Sequence, residues 1–280
     1  MKKTFRSGHE ERSGGRRSGK PARPAPRDEA PRLKPNFLYG VMPVLEALRA
    51  NARRVDKILI AEGVHGPRIA EVLDLARRHG IMAARVPRET LDRQAGASVN
   101  HQGILAFAAA ADYGAVDDIL EAARPDALLV IADGVEDPQN LGALLRVAEC
   151  AGADGVIIPD RRAVGLTDSV AKASAGAVEF VKVAKTRNLN RLIEDLKKRN
   201  IWIVGSSAEA NVDHTEWDWT RPSALVLGGE GKGLHRLVAE NCDVLVKIPM
   251  YGKISSLNVA AAAGVILFEA RRQRSRIKDE

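Results

Sequence analysis

The feature that most constrains the fold is a series of short apolar runs separated by segments of helical periodicity. The run at 127–132 is Ala-Leu-Leu-Val-Ile-Ala, which is continuous rather than alternating. The later runs lie near 155–159, 179–183, 201–205, 224–228 and 244–248. Helices are predicted near 139–151, 168–174, 188–199, 234–240 and 256–273. Continuous apolar strands that alternate with helices predict an α/β fold with a parallel sheet covered on both faces.

The same alternation occurs on a smaller scale before residue 111. Helices are predicted at 43–50, 67–79 and 88–94. Strands are predicted at 57–61, 81–86 and 103–109. The stretch 111–126, in which Gly114 and Pro125 bound a short helix, is expected to be a linker. We therefore predict a small domain over 36–110 and a larger domain over 127–280.

Residues 1–35 carry the entire charge imbalance of the chain. The net charge is +7, and this segment contains eleven Lys or Arg, four Asp or Glu and five prolines. With almost no large apolar side chains it cannot offset the entropy of ordering, so we predict a disordered basic tail. The tail could bind the phosphates of a polyanion by releasing counterions, or it could be a solubilising extension. The sequence favours neither interpretation.

The cysteines and the hydropathy exclude several classes of protein. Cys150 and Cys242 have no CxxC partner and no neighbouring histidine cluster. Neither a disulfide framework nor a metal site is predicted, and a reducing, cytoplasmic setting is expected. The longest apolar stretch, 259–268, is too short to cross a bilayer. We therefore expect no membrane partner.

Three polar or glycine-rich segments follow strands, where parallel α/β sheets bind their ligands. The first segment, 133–146, leads from the first strand of the larger domain into a helix. Asn140 in this segment is either the N-cap of that helix or a ligand contact. Arg146 lies among apolar helical residues, and it is either an ion-pair partner of Glu149 three residues later or a functional cation.

The second segment, 225–234, has four glycines in six positions. Glycine permits positive φ and a close approach of the backbone to a ligand. A P-loop is excluded because Gly233, rather than Ser or Thr, follows Lys232. A Rossmann site is excluded because too few residues remain to complete its sheet, and the next strand ends without an acid. Glu230 is either a ligand-facing carboxylate or an exposed turn residue.

The third segment, 248–258, precedes the final alanine-rich helix. Ser255 or Ser256 is the expected N-cap, and the free amides and positive dipole end of this helix are available to a ligand. With a serine as the cap, Asn258 in the first turn has no capping role. Its polar side chain therefore indicates a ligand contact.

These three segments, in this order and near this spacing, resemble the motifs of the SpoU (TrmH-like) branch of the SPOUT RNA 2′-O-ribose methyltransferases. The matching stretches are DPQNLGALLR, LVLGGEGKGL and IPMYGKISSLNVAAAAGVILFEA. The small domain, which ends in Asn100-His-Gln-Gly-Ile-Leu-Ala, resembles the substrate-binding domain of the ribosomal RNA guanosine methyltransferases in this family. That domain has a fold similar to ribosomal protein L30e. The resemblance covers nearly all of residues 36–280.

The resemblance implies a trefoil-knotted α/β catalytic domain, in which the C-terminal segment threads through a loop, and a homodimer whose protomers share the active-site region. Such knots are rare, and the periodicity alone does not indicate one. The resemblance also implies the cofactor S-adenosyl-L-methionine, bound in a bent form chiefly through backbone groups. The positions expected to bind it are Gly228, Gly231, Ile248, Met250 and Leu257.

The resemblance further implies a set of catalytic residues: Asn140, Arg146, Glu230, Ser256 and Asn258. Arg146 would clamp an RNA phosphate and position the ribose hydroxyl, because the pKa of arginine is too high for a literal base. The two asparagines and the serine would hold the site and the substrate. Glu230 would order the glycine loop or a neighbouring charge. The acceptor of the hydroxyl proton stays open.

The predicted function is therefore methylation of a guanosine ribose 2′-hydroxyl in 23S ribosomal RNA. Two alternatives stay open at this point, a transfer RNA ribose methyltransferase and a non-catalytic factor that binds ribosomal RNA or assists ribosome assembly. Within the small domain, Tyr39 and His101 are either RNA contacts or packing and turn residues.

Overall fold

The computed structural model describes residues 37–96, 99–231 and 233–278. The predicted basic tail at 1–35 lies outside this part of the chain. Among the described residues no helix has the length and apolar character needed to span a membrane. Nor does this part of the chain hold a cluster of three or more His, Cys, Asp or Glu side chains suited to a metal ion.

Within the described residues, the small domain is a four-stranded sheet with three helices. Its strands are β1 Phe37–Tyr39, β2 Val55–Ala61, β3 Met82–Val86 and β4 Ile104–Ala108, in the order β1-β4-β2-β3. Its helices are α1 Val41–Ala50, α2 Pro67–Arg78 and α3 Arg88–Ala95. Only β2 and β3 are parallel. α2 buries Ile69, Val72 and Ala76 at helical spacing, so a single apolar stripe docks this helix on the domain.

In the larger domain, the part of the chain that the structure describes contains a seven-stranded sheet. Its strands are β5 Leu128–Asp133, β6 Gly155–Pro159, β7 Val183–Thr186, β8 Trp202–Ser206, β9 Val212–Asp213, β10 Ser223–Gly228 and β11 Val244–Lys247. The strand order is β7-β6-β5-β10-β8-β11-β9, and all neighbours are parallel. The helices are α4 Val116–Ala122, α5 Pro138–Cys150, α6 Asp168–Ala173, α7 Leu189–Lys198, α8 Arg236–Glu240 and α9 Val259–Lys278.

Both faces of this sheet are covered, as the continuous apolar strands predicted. Along β5, Leu128, Val130 and Ala132 join the core that α5 and α9 contribute to. The alternate residues, Leu129 and Ile131, join the core on the side of α7. Because successive side chains of a strand point to opposite faces, a strand buried on both sides is apolar throughout.

One predicted strand is wrong. The sequence predicts a strand at 179–183, but Ala177–Glu179 is a 3-10 turn and the strand is Val183–Thr186. Gly176 precedes the turn at φ +94°, a left-handed conformation that glycine adopts readily. Val178 and Val181 are apolar because they pack into the core, not because they pair in a sheet. Two short strands, β1 and β9, carry too little pattern to be predicted from sequence.

The two domains contact each other through polar groups as well as apolar ones. Arg53 and Glu179 form an ion pair whose side chains are 6% and 2% exposed. Lys172 donates to the carbonyl of Asn100 at 2.6 Å, and its ammonium lies 4.9 Å from the centre of the Tyr39 ring. This interface is formed between α6, the 3-10 turn and the start of the small domain.

The two residues of the small domain with open roles have structural partners. Tyr39 is partly buried at the domain interface, where its hydroxyl lies 3.5 Å from Ser169 Oγ. His101 is 1% exposed; its Nδ1 accepts from the Gly103 amide at 3.0 Å, and its Nε2 lies 2.9 Å from Asp92 Oδ1. These contacts favour the packing and turn roles over direct RNA contact.

Candidate active site

The central strands bring the first two segments together. β10 pairs with β5 in parallel, and Gly228 lies opposite Asp133 at the carboxyl ends of both strands. Asp133 is 3% exposed, and its carboxylate accepts the His235 amide at 2.8 Å. A buried carboxylate at the end of one strand therefore holds the loop that follows the other.

The structure of the start of α5 differs from the interpretation of Asn140 as its N-cap. The N-cap is Asp137, whose Oδ1 accepts the amides of Gln139 at 2.8 Å and Asn140 at 2.9 Å. Pro138 occupies the first helical position, where its missing amide costs nothing. The interpretation of Asn140 as the N-cap is therefore wrong, and its side chain is free for another contact.

The side chains of Asn140, Glu230 and Asn258, which we call the Asn–Glu–Asn cluster, meet across the three segments. Asn140 Nδ2 donates to Glu230 Oε1 at 2.6 Å. Asn258 Nδ2 donates to Asn140 Oδ1 at 2.7 Å and to Glu230 Oε1 at 3.2 Å. Hydrogen bonds to an ionised carboxylate are stronger than neutral ones. The cluster joins residues separated by as many as 118 positions.

Asn258 also begins α9, which corrects the expected serine cap. Its Oδ1 accepts the amide of Ala260 at 2.9 Å, and the helix starts at Val259 rather than near 256. Ser256 is exposed and has no hydrogen bond to the Asn–Glu–Asn cluster within the described residues. One amide side chain thus caps a helix with its oxygen and binds the cluster with its nitrogen.

Two glycines of the loop, within its described residues 228–231 and 233, have no room for a side chain. A Cβ atom on Gly228 would lie 2.0 Å from the carbonyl carbon of Gly233, and one on Gly229 would lie 2.1 Å from the Gly134 oxygen. Gly231 has φ +76° and open space around it. At Gly228 and Gly229 the chain segments approach so closely that only backbone groups, and no side chains, can be available to a ligand.

A cavity of about 560 Å³ lies beside the Asn–Glu–Asn cluster. Asn140 and Glu230 line it, together with Asp133, Gly134, Val135, Glu136, Asp137, Arg162, Gly229, Gly233, His235 and Val259. A second cavity, of about 540 Å³, is lined by residues of α4 and α7 and touches none of the cluster. The polar cavity at the strand ends is therefore the candidate active site.

Two of the predicted catalytic residues stand apart from the cluster. Arg146 is exposed on α5, and within the described ranges it forms no ion pair with Glu149 or with any other acid. This absence removes the structural interpretation of Arg146 as a helix ion-pair partner. Ser256 is likewise exposed on the loop before α9.

The predicted cofactor-binding residues lie on the glycine loop and on the loop before α9, and none of them lines the 560 Å³ cavity. Gly228 and Ile248 are partly exposed, and Gly231, Met250 and Leu257 are exposed. Met250 is 38% and Leu257 42% exposed, beside Tyr251 at 96%. Apolar side chains next to a loop of exposed backbone fit a nucleoside cofactor that is held by backbone hydrogen bonds and apolar contacts.

Several charged or titratable side chains that line the cavity were not predicted from the sequence: Asp133, Glu136, Asp137, Arg162 and His235. Asp133 is the last residue of β5, so the expectation that ligands bind at strand ends could have identified it. Arg162 follows β6, the neighbour of β5. Its position beside the cavity could not be predicted, because the two strands are far apart in the sequence. His235 stands just after the glycine loop with no motif to mark it.

Known proteins match both domains. Residues 127–268 match the SpoU rRNA Methylase family, and residues 37–114 match the RNA 2′-O ribose methyltransferase substrate binding family. The putative TrmH family tRNA/rRNA methyltransferase YacO of Bacillus subtilis (strain 168) is 43% identical over 243 residues, which cover 86% of this chain and 96% of YacO. The 23S rRNA (guanosine-2′-O-)-methyltransferase RlmB of Pseudomonas syringae pv. tomato is 41% identical and covers 85% of this chain and 96% of RlmB.

A solved structure has the same arrangement. The SpoU methyltransferase AviRb from Streptomyces viridochromogenes, in complex with the cofactor AdoMet, superposes with a TM-score of 0.71 at 26% identity. The superposition covers 86% of this chain and 90% of AviRb.

The chain belongs to the SpoU rRNA methylase family. It is an S-adenosylmethionine-dependent RNA 2′-O-methyltransferase with an N-terminal substrate-binding domain, as the three segments predicted.

Proposed function

We propose that this enzyme methylates the ribose 2′-hydroxyl of a guanosine in 23S ribosomal RNA. The observation that carries the chemistry is the Asn–Glu–Asn cluster, which unites the three motif segments beside one cavity. The choice of substrate is supported by RlmB, a 23S rRNA guanosine methyltransferase that is 41% identical to this chain over 96% of its own length.

Within this proposal the cofactor lies against the glycine loop and the loop before α9. Backbone groups at Gly228, Gly231 and Ile248 would hold it, and Met250 and Leu257 would cover its apolar surface. Bound S-adenosylmethionine supplies an electrophilic methyl group on a sulfonium. The sulfonium charge favours a negative group nearby, which Glu230 provides.

The catalytic roles follow from the chemistry of each side chain. Asn140 and Asn258 hold Glu230 and fix the geometry of the cavity wall. Arg146, exposed on the next turns of α5, would clamp an RNA phosphate, which an arginine can bind with two parallel hydrogen bonds. Ser256 would contact the ribose. Positioning of this kind accounts for much of the acceleration of a bimolecular transfer.

A homodimer in the cytoplasm is part of the proposal, and so is the trefoil knot. α9 leaves two large apolar side chains at its surface, Val265 at 41% and Phe268 at 51% exposed. Exposed apolar groups on one helix support a protein contact. Arg146 and Ser256, which stand outside the cluster of their own protomer, would complete a site shared with the partner.

The substrate-binding domain is proposed to select the RNA. Its buried ion pair with the larger domain supports a fixed spacing between the RNA-binding surface and the cavity. Sequence-specific RNA recognition uses unstacked loops, because duplex RNA hides its base edges. A domain held at a fixed distance would admit only a loop of matching geometry.

The test offers the purified protein methyl-labelled S-adenosylmethionine with ribosomal RNA and transfer RNA, each from cells that lack the gene. We predict label in large-subunit RNA. Label in transfer RNA would leave the proposed reaction intact but show that the proposed substrate is wrong. Transfer RNA is the alternative substrate because YacO is a putative tRNA/rRNA methyltransferase. Cofactor binding with no label in transfer RNA or in ribosomal RNA, either free or in assembly particles, would favour a non-catalytic factor.

A further inference from the structure

His235 lines the candidate active site, and a single carboxylate holds it at two points. Its amide donates to Asp133 Oδ2 at 2.8 Å, and its ring Nδ1 lies 2.8 Å from Asp133 Oδ1. The Asp133 side chain is 4% exposed, whereas that of His235 is 46% exposed. A buried acid therefore anchors a ring whose far edge is accessible to a ligand.

The contact with Asp133 determines which ring nitrogen is free. An ionised carboxylate only accepts hydrogen bonds, so Nδ1 carries a proton, and in the neutral ring Nε2 has the free lone pair. Gly134 packs on the ring, because a Cβ atom there would lie 3.2 Å from His235 Cε1. Within the described residues Nε2 has no hydrogen-bond partner. An acid that orients a histidine by Nδ1 is the arrangement that makes Nε2 a proton acceptor.

The other charged groups that line the cavity are less suited to this role. Glu230 already accepts hydrogen bonds from two amides of the Asn–Glu–Asn cluster. Asp137 caps α5. Arg162 is a permanent cation. Glu136 is exposed and lacks an orienting partner among the described residues, which leaves it as the rival acceptor.

We propose that His235 Nε2 takes the proton of the ribose 2′-hydroxyl and that Asp133 orients and stabilises the resulting imidazolium. The inference rests on the proposed function. The hydroxyl oxygen forms its new bond to the methyl carbon while the carbon–sulfur bond breaks, and that electron pair stays on sulfur. His235 then releases its proton to water, and the ring returns to the neutral state.

The test measures methyl transfer by the full-length protein with the RNA that the wild type modifies. His235→Ala is expected to lower kcat by about 100-fold or more, the usual contribution of a positioned acid or base. The Kd for S-adenosylmethionine should change less than about twofold, and the KM for RNA should stay near that of the wild type. Asp133→Asn should lower kcat as well, because it presents an amide to the ring.

Added imidazole distinguishes a proton acceptor from a structural residue. It should restore part of the activity of His235→Ala, since the small base can occupy the space of the lost ring. His79→Ala removes an exposed histidine at the end of α2 and is the matched control, with neither a loss of activity nor a response to imidazole. The alanine variant keeps the backbone hydrogen bond to Asp133, so its fold should survive, as thermal unfolding can check.

Three results would overturn the inference while the wild type is active. These are a kcat for His235→Ala within threefold of the wild type, no rescue by imidazole, and a larger loss in Glu136→Gln than in His235→Ala. An inactive wild type with either class of RNA would instead contradict the proposed function. The two failures are therefore distinguishable.

Discussion

The Asn–Glu–Asn cluster depends on amide groups that donate hydrogen bonds to a carboxylate, which a second carboxylate could not do. Asn140→Asp would place a carboxylate 2.6 Å from Glu230 Oε1, where an amide nitrogen now donates. Like charges at this distance repel, so we predict a larger loss of methyl transfer for Asn140→Asp than for Asn140→Ala. Initial rates at saturating RNA and cofactor check the order. The reverse order would mean that the cluster does not depend on the donor at this position.

Glu269 on α9 gives a prediction for stability against pH. Hydrogen bonds from Arg272, and then from Gln273, lower the pKa of Glu269 to about 2 from its ordinary value of 4.5. A lowered pKa in the folded state stabilises the protein above the unfolded value, and this stabilisation is lost as the pH falls from about 4.5 through about 2. Wild type should be more stable than Glu269→Gln at neutral pH. The difference in urea midpoint should shrink below pH 4, and a constant difference would contradict a stabilising role for the ionised carboxylate.

The residues that sequence analysis located and those it missed differ in physical kind. Asn140, Glu230 and Asn258 could be predicted because each is a polar side chain next to an expected strand end or helix start. The capping roles of Asp137 and Asn258 could not, because they depend on where each helix begins within a few residues. His235 was missed because its partner Asp133 lies 102 positions away.

The conformation of the glycine loop depends on the absence of a Cβ atom at Gly228. Gly228→Ala would bring a Cβ within 2.0 Å of the Gly233 backbone, so the loop must move. We predict a loss of S-adenosylmethionine binding, measured by calorimetry. Gly80→Ala is the control, since Gly80 has φ +67° and open space around it. It should lose about 1 kcal/mol of stability and keep cofactor binding; equal effects would mean that the crowding at Gly228 is unimportant.

The elements themselves were largely predictable where the pattern was long. Most helices and strands begin and end within two residues of the sequence-based bounds, because continuous apolar runs and helical stripes mark them. The strand predicted at 179–183 was wrong because Val178 and Val181 are apolar for packing. Similarly, α9 starts at Val259 because Asn258, rather than a serine, caps it.

At the scale of the whole molecule, the buried ion pair between Arg53 and Glu179 holds the two domains together. Arg53 Nε lies 2.9 Å from Glu179 Oε2. Removing the arginine leaves a buried acid without its partner, so Arg53→Ala should lower the free energy of unfolding by about 3–5 kcal/mol. The control is Arg49→Ala, whose side chain is 42% exposed and pairs with the partly buried Glu46 and the exposed Glu71; it should cost less, about 1 kcal/mol. Equal urea midpoints for the two variants would contradict a buried link.

The order of the two domains and the parallel sheet could be argued from sequence, but their mutual contact could not. Arg53 and Glu179 lie 126 positions apart and belong to different domains. Neither lies in a motif. Contacts of this kind depend on the final shapes of two finished domains, which local patterns do not encode.

The central claim is that the cavity beside the Asn–Glu–Asn cluster transfers a methyl group to a ribose hydroxyl. The most direct measurement digests the labelled RNA to nucleosides and identifies the methylated product by mass spectrometry, with alkali resistance locating its position in the chain. We predict 2′-O-methylguanosine at a single position of 23S ribosomal RNA. A methyl group on a base, or transfer that survives loss of both Asn140 and Asn258, would contradict this claim.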